Sequence, residues 1–177
     1  MTERLELRHF EPTDLDALAG VFAKYEVWKF PYNRPWRRDE TATFIANQRS
    51  HWETCEFGLW LAILQSTGGV IGYVGLSVPM FLPEILPAVE VGWRFDPDAW
   101  GRGYATEAAR AALAEGFTTL GFDEICSLPQ VENVASVRVA ERLGMRNEGI
   151  ATIAANERFG EKNAVLFWMT ADEWRAS

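Results

Sequence analysis

The chain has 177 residues, 48% of them hydrophobic and 24% charged, which is the length and composition of one ordinary globular domain. Its formal net charge is −8, from 25 acidic and 17 basic side chains. A nucleic-acid binder needs clustered Lys and Arg, so this balance argues against that class and favours a cationic partner such as an amine. The two Cys and two His stand outside metal-ligand and triad spacings, so we expect no disulfide framework, no metal and no His-based nucleophile.

The longest uncharged stretch, Phe57 to Pro83, has to be tested against a membrane span. The polar run Gln65 to Gly69 divides it, and Pro79 interrupts its far end. The stretch therefore predicts two buried strands joined by a turn. Because Met1 to Phe10 lacks the apolar run of a signal peptide, we expect a cytoplasmic protein that does not bind membranes.

Apolar periodicity predicts a mixed α/β fold in a single domain over 1–177, without linker or repeat. In chain order the prediction is a strand over 2–9, a helix from about Leu15 with Thr13 or Asp14 as N-cap and ending before Trp28, a helix over 38–53, a hairpin of strands 58–64 and 70–78, a strand over 89–95, a helix over 105–120, a strand over 124–128, a helix over 133–143 and two final strands. Helices after the fourth and fifth strands imply right-handed crossovers. The sheet is thus expected to hold a parallel pair among antiparallel strands.

A glycine-rich segment, Trp100 to Ala108, lies where a predicted strand has ended and a helix begins. Gly101 and Gly103 let the backbone turn its N–H groups inward, and the helix N-terminus adds partial positive charge. The segment predicts an anion site suited to a pyrophosphate, with a plain tight loop as the alternative. A Rossmann dinucleotide site fits less well because Asp123 precedes the next strand, and a Walker loop is excluded because no Gly-Lys-Ser/Thr occurs.

In this register, Trp100 to Ala105 resembles the pyrophosphate loop Q/R-x-x-G-x-G/A of the GNAT superfamily of acetyl-CoA-dependent N-acetyltransferases, with Trp100 in place of Gln or Arg. Its continuation as Gly-Tyr-Ala-Thr-Glu-Ala is similar to the RimJ/RimL branch. Further segments resemble that branch in the same order: Leu5 to Pro12, the strand Glu90-Val91-Gly92-Trp93, and Asn133-x-x-Ser136 followed by Glu141-x-Leu143-Gly144-Met145.

The resemblance implies a single-domain GNAT-type α/β fold, with a mixed, mostly antiparallel central sheet, a splayed parallel strand pair and flanking helices. It implies that the pantetheine arm lies in the gap between those strands and pairs with their backbone. The cofactor-binding residues that it implies are Trp93, Arg94, Phe95, Gly101, Arg102, Gly103, Tyr104, Ala105, Thr106 and Asn133. It implies acetyl-CoA as co-substrate and no metal.

Transfer to an amine needs a neutral nucleophile, a polarised thioester and a route for protons. Glu90 is the candidate base, and a carboxyl on a strand rich in Val and Trp should have a raised pKa; an exposed strand carboxylate is the alternative. Many family members carry a Tyr acid where this chain has Ala140. The branch is thought to use the Ser of N-x-x-S instead, so Ser136 is the second catalytic candidate; a plain first-turn residue is the alternative.

Aromatic side chains between the first helices, and the segment Pro79 to Pro83, are expected to cover the acceptor side. The candidate substrate contacts are Trp28, Tyr32, Trp36 and Phe81, with filling of a core edge as the alternative. The principal hypothesis is an N-acetyltransferase that acetylates a primary amine, of a protein or peptide N-terminus or a small molecule, by direct attack in a ternary complex. A catalytically silent CoA-binding sensor or interaction module is the alternative, and a nucleotide-binding protein a weaker one. A homodimer is left open.

Overall fold

The computed structural model describes residues 1–157 and 159–177 and has an α/β fold. The strands are β1 (Leu5–Arg8), β2 (Leu59–Leu64), β3 (Gly69–Ser77), β4 (Glu90–Phe95), β5 (Glu124–Ser127), β6 (Arg146–Ile153) and β7 (Lys162–Thr170). The α-helices are α1 (Leu15–Phe22), α2 (Tyr25–Trp28), α3 (Arg38–Thr54), α4 (Tyr104–Ala114), α5 (Val134–Arg142) and α6 (Ala171–Arg175). The strands form a seven-stranded mixed sheet in the order β1-β2-β3-β4-β5-β7-β6, which confirms the predicted fold class.

By compactness the chain divides into two units, Met1–Gly75 with Trp93–Ala108 and Leu76–Gly92 with Ala109–Ser177. Both units are discontinuous in sequence. The single domain predicted over 1–177 stays a prediction. The two units are described separately below.

In the first unit, β1 pairs antiparallel with β2. Strand β2 also pairs antiparallel with β3, which confirms the predicted hairpin. Aromatic and aliphatic side chains from α1, α2, α3 and β2 form its core, which includes Phe10, Phe22, Trp28 and Leu61. Burial of this apolar surface is the main force that holds the helices on the strands.

In the second unit, β5 pairs antiparallel with β7, and β7 with β6. The predicted parallel pair is β4 with β5, and its register consists of one residue pair, Glu90 with Cys126. The core of the second unit includes Leu82, Leu128 and Ala164.

Several helix boundaries differ from the predicted ones. The helix expected to end before Trp28 stops at Phe22, and α2 then runs through Trp28 itself. The helix expected over 105–120 ends as an α-helix at Ala114 and continues as one π-helical turn, Glu115–Thr119. Helix α6 was missed, because a five-residue helix is too short for apolar periodicity to reveal.

Asp14 stands at the predicted N-cap position of α1, but its carboxylate makes no side-chain cap bond to that helix. It accepts two hydrogen bonds from the Arg8 guanidinium, at 2.7 and 2.8 Å, and one from the Glu11 backbone N–H. A bidentate pair joins two ionised groups through two charge-assisted hydrogen bonds, so the carboxylate turns towards Arg8.

None of the described helices is both long enough and apolar enough to cross a membrane. The described residues also contain no group of three His, Cys, Asp or Glu side chains that could hold a metal ion.

Candidate active site

The glycine-rich loop between β4 and α4 has the backbone geometry of an anion site. Gly101 and Gly103 adopt φ values of +74° and +81°, which side-chain-bearing residues rarely adopt. A Cβ on Gly101 would meet no other atom within 4 Å, and residues 101–103 are all exposed. The backbone is therefore accessible to a ligand where α4 begins, at Tyr104. The residues present fit the pyrophosphate that the sequence predicts there.

The side chain of Trp100, at the position where the GNAT pattern has Gln or Arg, turns back towards the end of β4. Its indole N–H donates a hydrogen bond of 2.9 Å to the Phe95 carbonyl oxygen. The turn Pro97–Ala99 between them is held by Asp96, which accepts from the Asp98 backbone N–H and pairs with Lys24 at 2.6 Å. The side chain of Trp100 thus fixes how β4 leads into the loop.

Glu90 begins β4 and is half-buried. Loss of hydration raises the pKa of its carboxyl from 4.5 to about 7, and a hydrogen bond from the Leu128 backbone opposes this only in part. The structure therefore bears out the expected raised pKa. At neutral pH such a carboxyl both accepts and releases a proton readily.

Cys126 and Ser127 lie on β5, in the unit that contains Glu90. Burial raises the pKa of the Cys126 thiol strongly, and this side chain is fully buried. It is therefore a protonated core thiol rather than a nucleophile. The buried Ser127 hydroxyl donates a hydrogen bond of 3.1 Å to the Val91 carbonyl oxygen, and the Cys126 N–H donates to the Val89 oxygen at 2.8 Å.

Asn133 and Ser136 are brought together at the start of α5. Asn133 is the N-cap, and its side-chain oxygen accepts from the Ser136 backbone N–H at 3.3 Å. Ser136 is half-buried, and its hydroxyl forms no hydrogen bond with any other described residue that the structure records. Ala140, one turn further on, is fully buried and carries no acid.

The aromatic segment before α3 packs as a stack. The rings of Trp28 and Trp36 lie 3.7 Å apart and nearly parallel, and Tyr32 leans against both. Trp28 is only 2% exposed, so its ring belongs to the core and does not line open surface. Tyr32 and Trp36 are half-buried and keep part of their surface accessible.

Arg94 joins β4 to this aromatic segment through its side chain, a contact that sequence reasoning missed. Its guanidinium lies 4.0 Å from the Trp28 ring centroid and donates to the backbone oxygens of Val27 and Phe30. Its Nε donates to the Tyr73 hydroxyl at 3.2 Å. The predicted role of Arg94 involved its backbone alone, so nothing in the sequence indicated this link.

Phe81, the remaining predicted substrate contact, lies in the segment after β3. It is 38% exposed, and its neighbour Met80 is 71% exposed. These side chains offer apolar surface in the second unit, whereas the other predicted contacts belong to the first.

Comparison with known proteins gives a consistent result. Residues 4–146 match the family described as Acetyltransferase (GNAT) domain. An uncharacterized protein of Bacillus subtilis, YkkB, is 35% identical over 146 residues, covering 82% of this chain and 83% of its own. An uncharacterized N-acetyltransferase of the same organism, YnaD, is 30% identical and covers 84% of this chain and 82% of its own. The solved structure of a GNAT-family acetyltransferase from Bacillus anthracis has a TM-score of 0.82 at 25% identity and covers 98% of both chains.

Proposed function

Because the chain belongs to the GNAT acetyltransferase family and is thereby an acetyl-CoA-dependent acyltransferase, we propose that it acetylates a primary amine by direct attack in a ternary complex. The acetyl thioester supplies the activated acyl group. The observation that carries the amine assignment is the Glu90 carboxyl, whose pKa of about 7 suits the removal of a proton from the acceptor nitrogen, before or during attack of the neutral amine.

Direct attack is supported by the absence of an activated cysteine among the described residues. Cys126 is fully buried, and its pKa is strongly raised. Cys55 follows the end of α3, and the recorded contact of its thiol is with the Thr54 hydroxyl at 3.7 Å, whereas its bond to His51 is made by the backbone N–H. An acyl-enzyme needs a thiolate or another activated nucleophile, so the nitrogen of the acceptor is the nucleophile in this proposal.

The proton balance then follows. The nitrogen forms a bond to the carbonyl carbon, the carbon–sulfur bond breaks, and Glu90 takes the proton that the nitrogen loses. The sulfur leaves as a thiolate and takes a proton from the Ser136 hydroxyl or from water. Ser136 lies in the first turn of α5, where the partial positive charge of the helix terminus favours a developing negative charge.

The loop from Gly101 to Thr106 is the proposed pyrophosphate site, and Asn133 a proposed contact of the pantetheine arm. Backbone N–H groups next to Gly101 and Gly103 supply the donors, which explains how the loop functions with Trp100 in place of Gln or Arg. The backbone of β4 from Trp93 to Phe95 is the remaining proposed contact of the arm.

We place the acceptor against the partly exposed aromatic surface of Tyr32 and Trp36, with Trp28 supporting Trp36 from the core. This surface suits an amine with an apolar body, and the net charge of −8 favours a cation. A role for Phe81 stays a prediction. The motifs N-x-x-S and E-x-G-W, with Ala140 in the Tyr position, favour the RimJ/RimL branch. The proposed acceptor is the N-terminal amine of a peptide or protein, or a small-molecule amine.

Two assays test the proposal in sequence. Calorimetric titration with CoA, acetyl-CoA, NAD and ATP should show binding of the two CoA species alone. Thiol release from acetyl-CoA should then require an amine, across a panel of peptides and small amines. CoA binding without turnover on any amine would contradict the enzymatic assignment and indicate a silent CoA-binding module. Thiol release that leaves every added amine unacetylated would contradict the acceptor class.

A further inference from the structure

A network of charged and hydroxyl groups joins the start of the chain to the glycine-rich loop. The carboxylate of Glu107, in the first turn of α4, accepts from the Thr2 hydroxyl at 2.6 Å and from the Arg4 backbone N–H at 2.8 Å. It also accepts from the Nε of the Arg4 guanidinium at 2.7 Å, and Nη2 of the same group lies 2.6 Å from the carboxylate as an ion pair. These groups lie in the first unit and are separated by about a hundred positions in sequence.

The same guanidinium touches the loop itself. Its Nη1 donates to the Arg102 carbonyl oxygen at 2.9 Å, and its Cζ lies 4.6 Å from the centre of the Tyr104 ring. A Cβ on Gly103 would stand 3.5 Å from Nη2. Arg4 therefore contacts Arg102 and Tyr104, the residues on either side of Gly103 in the loop.

The hydrogen bond from Arg4 to the Arg102 carbonyl sets the direction of the Gly103 N–H group. The Arg102 carbonyl and the Gly103 N–H belong to one planar trans peptide, in which they point in opposite directions. Because Arg4 holds the carbonyl on its own side, the Gly103 N–H is turned to the other side of the loop. An anion bound there meets a donor that is already oriented, so less ordering accompanies binding.

The network also neutralises an unfavourable charge. Glu107 is ionised at neutral pH, since hydrogen bonds from Thr2 and Arg4 lower its pKa in spite of its partial burial. A carboxylate within one turn of a pyrophosphate site would repel the phosphates. Its three hydrogen bonds and the positive charge of Arg4 reduce that repulsion.

We propose that Arg4 and Glu107 are positioning residues that preform the loop and thereby set its affinity for the pyrophosphate of acetyl-CoA, an inference that rests on the proposed function. Neither side chain touches the ligand in this account. Arg4 acts through the Arg102 carbonyl, and Glu107 acts by fixing Arg4.

The test compares Arg4→Met and Arg4→Lys with Arg8→Met. Arg8 is a matched control because it ends β1, the strand that Arg4 precedes, and its guanidinium pairs with a carboxylate, that of Asp14, away from the loop. Thermal unfolding of each variant checks that it is folded, and Arg4→Lys keeps the charge if Arg4→Met folds poorly. Calorimetry with CoA gives the Kd, and initial rates give KM for acetyl-CoA and for S-acetylpantetheine, which lacks the pyrophosphate.

Arg4→Met should raise the Kd for CoA and the KM for acetyl-CoA about tenfold, the scale of one lost hydrogen bond to a charged group. Its kcat/KM with S-acetylpantetheine should change by less than about twofold. Arg8→Met should lower the melting temperature and leave the Kd for CoA unchanged. Adding Glu107→Gln to Arg4→Met should recover part of the lost affinity, because the uncompensated carboxylate is then gone.

Equal affinity for CoA in folded Arg4 variants would overturn the inference. Equal losses with acetyl-CoA and S-acetylpantetheine would also overturn it, since they would show a general structural role. If the unaltered chain binds no CoA, the proposed function itself fails, and the inference fails with it.

Discussion

Glu90→Gln removes the charge of the proposed base and keeps the size of its side chain, and two effects of opposite sign are expected. The pKa of Glu90 is raised from 4.5 to about 7. A tenfold change in proton affinity corresponds to about 1.4 kcal/mol, so keeping the ionised carboxylate in the folded chain costs about 3 kcal/mol.

The sign follows from the direction of the change in pKa. A carboxyl with a raised pKa in the folded state favours folding when it is protonated. Its contribution is fully present below pH 4.5 and is lost as the pH rises through about 7. Gln has no charge to bury, so Glu90→Gln should match the unaltered chain at low pH and exceed its free energy of unfolding by up to about 3 kcal/mol above pH 7.

Urea unfolding at about pH 5 and about pH 8 measures this difference directly. Glu124→Gln is the matched control, because Glu124 begins the neighbouring strand β5 and is exposed. The control should leave the pH dependence of stability unchanged. If Glu90→Gln leaves the pH dependence of stability unchanged as well, Glu90 is not the half-buried group with a raised pKa described above.

The catalytic activity of Glu90→Gln should fall, although its free energy of unfolding rises. Glu90→Gln should lower kcat/KM roughly 10²-fold at neutral pH, the usual scale for a positioned base, with little change in the Kd for CoA. In the unaltered chain, kcat/KM should rise with pH through about 7, and the variant should lose that rise. An unchanged rate and pH profile would assign the proton route to water.

Three further substitutions probe the remaining site. Gly103→Val should weaken CoA binding by about 2 kcal/mol in calorimetry, because valine is strained at φ +81°, whereas Gly121→Val at φ +70°, outside the loop, should not. Asn133→Ala should mainly raise the KM for acetyl-CoA and Ser136→Ala should mainly lower kcat; indistinguishable kinetics would refute that division of roles. Arg94→Met should raise the KM for the amine more than that for acetyl-CoA, because its guanidinium holds the aromatic segment; equal changes would assign it to the fold alone.

Local pattern was sufficient to predict most of the elements and the loop. Short segments carry the information for the uncharged hairpin of β2 and β3, for the helix that begins after Asn133 and for the two glycines with positive φ. Backbone conformation at Gly101 and Gly103 depends on residue type, so the sequence carries that information.

Long-range side-chain contacts were not predictable in the same way. Arg4 immediately precedes β1, and Glu107 is one acidic residue in the first turn of a helix; opposite charge alone does not reveal that they pair across 103 positions. Asp14 illustrates the converse, since its sequence context indicates a cap and the bidentate bond to Arg8 prevails. Competition between partners is decided by tertiary geometry, which local pattern does not contain.

The aromatic segment shows the same limit. Trp28 and Trp36 share a spacing typical of a lining or of a core, and both interpretations were open. Their stacking at 3.7 Å, with Arg94 over Trp28, places Trp28 in the core and leaves Trp36 half-buried. Whether the Trp28 or the Trp36 ring is covered depends on the side chains of α1 and β2 that pack against it.

The most direct test of the central claim is thiol release from acetyl-CoA with a panel of peptide and small-molecule amines, followed by mass measurement of the acceptor. We expect amine-dependent thiol release, an acceptor acetylated on nitrogen, and a rate that falls sharply in Glu90→Gln. Release of thiol at the same rate with and without amine, or acetylation of this chain itself in place of the added amine, would contradict direct transfer in a ternary complex.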